Sequence, residues 1–182
     1  MKNVVKLLVF WAAFSGFLNS CSESQDFNQY DDLEITPSYE ASIFYLESTE
    51  DVINAAADLS FFAQDFNFDA FSESVFANRV IEGSLTYEVE NTTSKPLEIV
   101  IEFLDEGNGV LDTETFSIGA APTALLQREV AYGNAGRSID ILTSTSGLRV
   151  RATNLGDTTS TSDLPDPMIK LRSSGEFRVR VK

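Results

Sequence analysis

Histidine is absent from this 182-residue chain, and cysteine occurs once, at position 21. Without histidine there is no Ser-His-Asp or Cys-His catalytic pair and no histidine-ligated zinc site. A single thiol forbids an internal disulfide, so the body of the chain must be stabilised by an apolar core alone. Basic residues are also scarce: 13 Lys and Arg stand against 28 Asp and Glu, a formal net charge of −15. That balance excludes a nucleic-acid partner, because phosphate recognition needs the opposite field. The one tryptophan is Trp11, which leaves no indole downstream for stacking on sugars. No uncharged apolar run reaches the roughly 20 residues of a comfortable transmembrane helix.

What is present starts at the first residue. Met1 to Lys6 is basic, Leu7 to Phe14 is apolar and uncharged, and Ser15 to Ser20 leads to the lone cysteine. Basic start, apolar middle and a small-residue cut point are the parts of a secretion signal. A buried N-terminal helix or a membrane span are the bland alternatives, and the abrupt acidic stretch that follows argues against both. Leu18-Asn19-Ser20-Cys21 resembles the lipobox of bacterial lipoproteins, with Asn19 standing where Ala or Ser is more usual. The resemblance implies a diacylglycerol thioether on Cys21, removal of residues 1–20, and acylation of the new amino group. Two or more acyl chains make such an anchor stable, whereas one holds only marginally.

Residues 21–37 read as a flexible acidic tether, carrying Glu23, Asp26, Asp31, Asp32 and Glu34 with no basic residue. Cys21-Ser22-Glu23-Ser24-Gln25-Asp26 is similar to the acidic export signal behind the cysteine in surface lipoproteins of Bacteroidota. Ser22 also stands in place of the aspartate that marks inner-membrane retention in many other bacteria. Both resemblances imply the outer membrane, with the outer surface favoured over the periplasmic face.

Residues 38–182 read as one mainly β domain. Alternation predicts strands over 38–47, 85–90, 97–104, 110–118, 128–132, 138–143, 148–152, 168–172 and 176–182. Thr49 to Leu59, with a cap-like threonine and early acids, predicts a short helix. Asn91 to Pro96 and Asp105 to Gly109 have turn composition, which makes 85–118 a three-strand meander with glycine supplying positive φ in the turns. Short strands at this spacing suggest an immunoglobulin- or fibronectin-like antiparallel sandwich, with a barrel as the alternative.

Chemistry is harder to place. Ser94-Lys95 lies in a turn beside Pro96, a loop composition rather than a buried dyad. Asp65, Asn67 and Asp69 put three oxygen donors at alternate positions, as the start of a calcium loop does. Ala70 and Phe76 then stand where the glycine and the bidentate acid belong. The competing reading is an extended segment that buries Phe66, Phe68 and Phe71. Arg149, Arg151, Arg178 and Arg180 alternate with apolar residues, so they lie outward on strands. They form either a basic face for an anionic partner or one side of cross-strand charge pairs with outward glutamates, and the second is favoured. Asp157-Thr158-Thr159 resembles the O-glycosylation sequon of Bacteroidota, which would place the sugar on Thr158.

The expectation is a non-catalytic, lipid-anchored envelope module that needs no cofactor. Its partners would be the membrane, through Cys21, and an envelope protein such as an outer-membrane complex. A surface glycan-binding module, with or without calcium, is the rival reading, and a carbohydrate-active enzyme a weaker third.

Overall fold

The computed structural model describes residue 4 and residues 34–56, 59–122, 125–134 and 136–181. Within these the chain forms β1 (Ser38–Thr49), α1 (Glu50–Ala55), β2 (Ser60–Asn67), α2 (Ser74–Ala77), β3 (Val80–Asn91) and β4 (Leu97–Leu104). Then follow β5 (Val110–Ile118), β6 (Leu126–Tyr132), α3 (Ile139–Thr143), β7 (Gly147–Asn154) and β8 (Met168–Val179).

The strands make two four-stranded sheets, β1-β8-β3-β6 and β2-β7-β4-β5, and every pairing is antiparallel. Alternation explains why. In β4, Leu97, Ile99, Ile101 and Phe103 are buried while the residues between them are half-exposed, so one face must meet another apolar face. That face comes from β3 and β6. Tyr87 lies against Phe116 with ring centroids 5.2 Å apart, and Phe103 approaches Tyr132 at 6.4 Å. Full burial of each such side chain stabilises the fold by about 1.5–3 kcal/mol.

The domain is therefore an antiparallel β-sandwich with a short helix near its start, as the periodicity predicts. Its strand order is a finding of the structure. Six of the seven links carry the chain from one sheet to the other, and only β4–β5 is a hairpin within a sheet. This is the connectivity of an eight-stranded jelly roll, and it differs from the order of immunoglobulin domains. The expected meander over 85–118 is accordingly corrected: Asn91 to Pro96 crosses between sheets. In the β4–β5 turn, positive φ falls on Asn108 (62°) rather than on a glycine, and Asp105 Oδ1 accepts from the N–H groups of Gly107 and Gly109.

Two other elements depart from the sequence reading. Residues 138–143 are no strand, because Ser138 Oγ accepts from Asp140 N and starts the short helix α3. The two expected strands over 168–182 are one, β8, which runs straight through Gly175. The glycine serves packing there, not a turn. A Cβ at Gly175 would come 2.5 Å from the Phe177 ring, and one at Gly83 on β3 would come 2.6 Å from it. Phe177 fills the space both glycines leave and anchors a cluster with Phe71 and Phe76 at 5.3 and 5.2 Å.

The ring is walled in, so it cannot retreat from an added methyl. Gly175→Ala should lower stability by about 1–3 kcal/mol through overpacking, measured by urea denaturation. Tyr87→Phe should leave stability unchanged or raise it by up to about 1 kcal/mol, because the buried Tyr87 hydroxyl has no hydrogen-bond partner among the described residues.

Candidate functional site

Cys21 and the motif residues Leu18, Asn19 and Ser20 lie outside the described residues, as do residues 21–33 of the expected tether. Its last four residues belong to the folded body. Val181 N donates to Ile35 O and Val179 N to Pro37 O, so residues 35–37 extend the β1–β8 pairing.

The four arginines do not share a face. Arg149 and Arg151 project from β7 in one sheet, and Arg178 from β8 in the other, with Arg180 just beyond it. Each meets a carboxylate. Arg149 grips Asp65 through two nitrogens at 2.9 and 3.0 Å and approaches Glu102 at 3.5 Å. Arg151 lies 3.9 Å from Glu102, Arg178 3.0 Å from Glu82, and Arg180 2.6 Å from Glu34. The Arg149 hydrogen bonds and charge hold the Asp65 carboxyl below the usual carboxylate range. This is the cross-strand charge pairing that the sequence favours over a basic face. Pairing follows from register: Asp65 and Arg149 are directly opposite, as are Glu102 and Arg149 on the other side.

The same contact gives no support to the calcium reading, which the sequence already ranks below an aromatic-burying segment. Asp65 turns to Arg149, and Asn67 Oδ1 accepts from the backbone N–H of Asp69 at 2.9 Å. Among the described residues no three acidic, histidine or cysteine side chains gather as a metal site. Phe71 is buried and Phe66 and Phe68 are half-buried, the arrangement of an aromatic-burying segment.

Two charged constellations were not expected. At the end of the sandwich where β3 crosses to β4, Lys95 is fully buried and not a solvated loop residue. Its Nζ donates to Asp157 Oδ1 (2.8 Å), Ser160 O (2.7 Å) and Ser160 Oγ (2.6 Å). Asp157 Oδ1 also accepts from the N–H groups of Thr159 and Ser160. The Lys95 hydrogen bond, then these N–H groups, push the Asp157 carboxyl far below its ordinary range. Nearby, buried Glu50 of α1 accepts from Ser94 N and Oγ with one oxygen and from Ser162 N with the other. Burial raises its pKa, but those three bonds together with the Lys95 charge outweigh it and leave the pKa lowered. Asn91 completes the crossing by donating to Lys95 O and Gly119 O, both at 2.8 Å. Thr158 sits exposed beside this hub, in the turn that Asp157 holds.

The second constellation runs between the sheets along the β5–β6 side. Glu114 is buried on β5 and paired with Arg128 Nη1 of β6 at 3.1 Å, while Arg137 pairs with both Glu114 and Asp112. The Arg128 guanidinium also lies 4.4 Å over the Phe116 ring. The signal was in the sequence: Asp112 and Glu114 are in phase with Phe116 and Ile118, and Arg128 with Val130 and Tyr132. For Lys95 no comparable pattern exists.

The surface offers shallow depressions. One of about 240 Å³ on the outer face of the β1-β8-β3-β6 sheet is lined by Ser38, Glu82, Ser84, Glu176 and Arg178. Another of about 420 Å³ lies at the β4–β5 turn beside Asp65, Asn67 and Asp69.

No protein-family model and no curated protein sequence matches the chain. Solved structures of similar architecture do. The VP2 subviral particle of infectious bursal disease virus shares 8% identity over 79% of this chain, with a TM-score of 0.41, and this chain spans only 32% of that protein. The structure titled Desmodium yellow mottle tymovirus matches at 10% identity and TM-score 0.37, covering 82% of this chain and 90% of that one. A pilus protein of Bacillus endospore appendages matches at 11% identity and TM-score 0.35, covering 88% and 96%.

The crossing yields an asymmetric prediction. Asp157→Asn strands a buried ammonium, whereas Lys95→Met leaves an exposed carboxylate that water can solvate. Asp157→Asn should therefore destabilise more, and Lys95→Met should stay within about 1 kcal/mol of the parent, both read from urea melts. Asp157 and Glu50 both have folded pKa values below their unfolded ones. Their contribution is complete above the unfolded carboxylate pKa of about 4 and is lost as pH falls below it. Urea midpoints between neutral pH and pH 3 should drop for the parent and drop less for Glu50→Gln.

Proposed function

We propose that this protein is a lipid-anchored, non-catalytic lipoprotein of the bacterial cell envelope, held to the outer membrane through Cys21. Its β-sandwich serves as a structural or protein-interaction module, as an accessory subunit of an outer-membrane complex would. The observation that carries the reading is Leu18-Asn19-Ser20-Cys21, placed behind a basic-then-apolar start and ahead of an acidic stretch. A lone thiol in an exported chain has no internal partner, and lipidation gives it a role. The folded body supports the non-catalytic half. Among the described residues several charged groups are tied to one another, as Lys95 is to Asp157, Glu114 to Arg128 and Arg149 to Asp65, which leaves them engaged in structure.

The glycan reading finds less support. Tyr39 and Tyr45 are both exposed on β1, but they project to opposite faces: Tyr39 pairs with inward Phe177 and Tyr45 with outward Arg172. They make no common platform for a sugar ring.

Metabolic labelling with a palmitate analogue should mark the parent protein, and Cys21→Ala should abolish the label and release the chain from membranes. Labelling that survives the substitution would sink the anchor. Cross-linking in native membranes should then capture a stable protein complex; recovery of monomer alone, with binding on a glycan array, would favour the rival.

A further inference from the structure

We infer that the end of the sandwich where the chain enters at Glu34 carries an apolar strip that seats on the lipid bilayer, an inference that rests on the lipoprotein reading above. The strip is the continuation of a core face. Tyr39 is directly opposite Phe177, and the backbone bonds Val179 N to Pro37 O and Val181 N to Ile35 O carry that register outward. Period-two geometry then puts Ile35, Pro37 and Tyr39 on the same face as Phe177, Val179 and Val181. Phe177 is buried, yet Tyr39 is 55% exposed and Ile35 and Val181 are each 47% exposed. The sheet thus extends beyond whatever covers Phe177. Val75 of α2, 68% exposed, precedes Phe76, whose ring meets that of Phe177 edge-on. Scattered exposed apolar side chains are ordinary, but three in phase at one end of a strongly acidic protein are not.

Position along the chain argues for lipid as the occupant. About thirteen residues separate Cys21 from Glu34, so a lipid on that sulfur lies within about 45 Å of the strip even along a fully extended path. The opposite end, with Lys95 and Glu50, is a further β1 length away, about 40 Å for its twelve residues. The anchor therefore favours this end as the membrane-facing one. Its chemistry suits the place: a tyrosine with aliphatic neighbours is the side-chain mixture of the headgroup boundary. Arg79, whose backbone O accepts from Arg180 N, is exposed beside the strip and can meet headgroup phosphates, while Arg180 itself is paired with Glu34. The acidic remainder of the domain disfavours burial of any other surface against lipid.

The absence of tryptophan after Trp11 makes the test direct. The lipidated mature protein, which begins at Cys21 and so lacks Trp11, is reconstituted with Tyr39→Trp into phosphatidylcholine vesicles whose acyl chains are brominated near the headgroup. Trp at 39 should lose about half its emission, since an interfacial side chain sits about 5–10 Å deep. Tyr45→Trp, on the other face of the same strand, should lose little. Equal quenching at both positions, or none at 39, overturns the inference while the lipid-carrying protein upholds the anchor. Absence of lipid on Cys21 overturns both.

Discussion

Two sheets close on each other through Tyr87, Phe103, Phe116 and Tyr132, and no covalent cross-link shares that task. The inter-sheet contact is the constraint on which the rest depends. Because the strands alternate between sheets, nearly every link must carry backbone across the ends of the core, where unpaired N–H and C=O groups are costly. Lys95, Asn91, Glu50 and Asp157 are the response at one end. They fill the crossing with side-chain partners, so a loop that composition would place in water is buried and specified.

Charge in this domain follows the phase of the strands. An outward carboxylate or guanidinium finds its partner on the neighbouring strand, as Asp65 and Arg149 do. One that falls in the core phase finds its partner across the gap, as Glu114 and Arg128 do. Exposed pairs of the first kind add little stability, but they neutralise the arginines that could have formed a basic docking face. The second kind closes the β5–β6 side of the sandwich, as Phe44 stacked on Phe66 at 6.2 Å does on the opposite side. What the module presents outward is then largely acid, broken by the apolar strip at the end where the chain enters.

Much of this was legible in the sequence where one face of a strand is buried. Leu97 to Leu104 and Val110 to Ile118 are strands with the boundaries their alternation implies, because a one-residue slip would turn every apolar side chain to water. Sheet membership was not legible. Asn91 to Pro96 has the same turn composition whether it joins two strands of one sheet or crosses to another. Gly175 resembled a break because glycine marks turns and close approach alike, and only the Phe177 ring distinguishes them. Lys95 was unreadable for a different reason: its partner, Asp157, is sixty-two residues away and carries no periodic signal. The stretch Leu18-Asn19-Ser20-Cys21 is the reverse case, since the anchor proposed for it rests on local sequence alone and on no feature of the fold.

The central claim is that this sandwich belongs at a membrane through Cys21, and the most direct measurement is the intact mass of the mature protein extracted from its native envelope. The account predicts a chain that begins at Cys21 and carries a diacylglyceryl thioether with a third acyl chain on its amino group. A chain that retains residues 1–20, or one that begins elsewhere with an unmodified thiol, would contradict it.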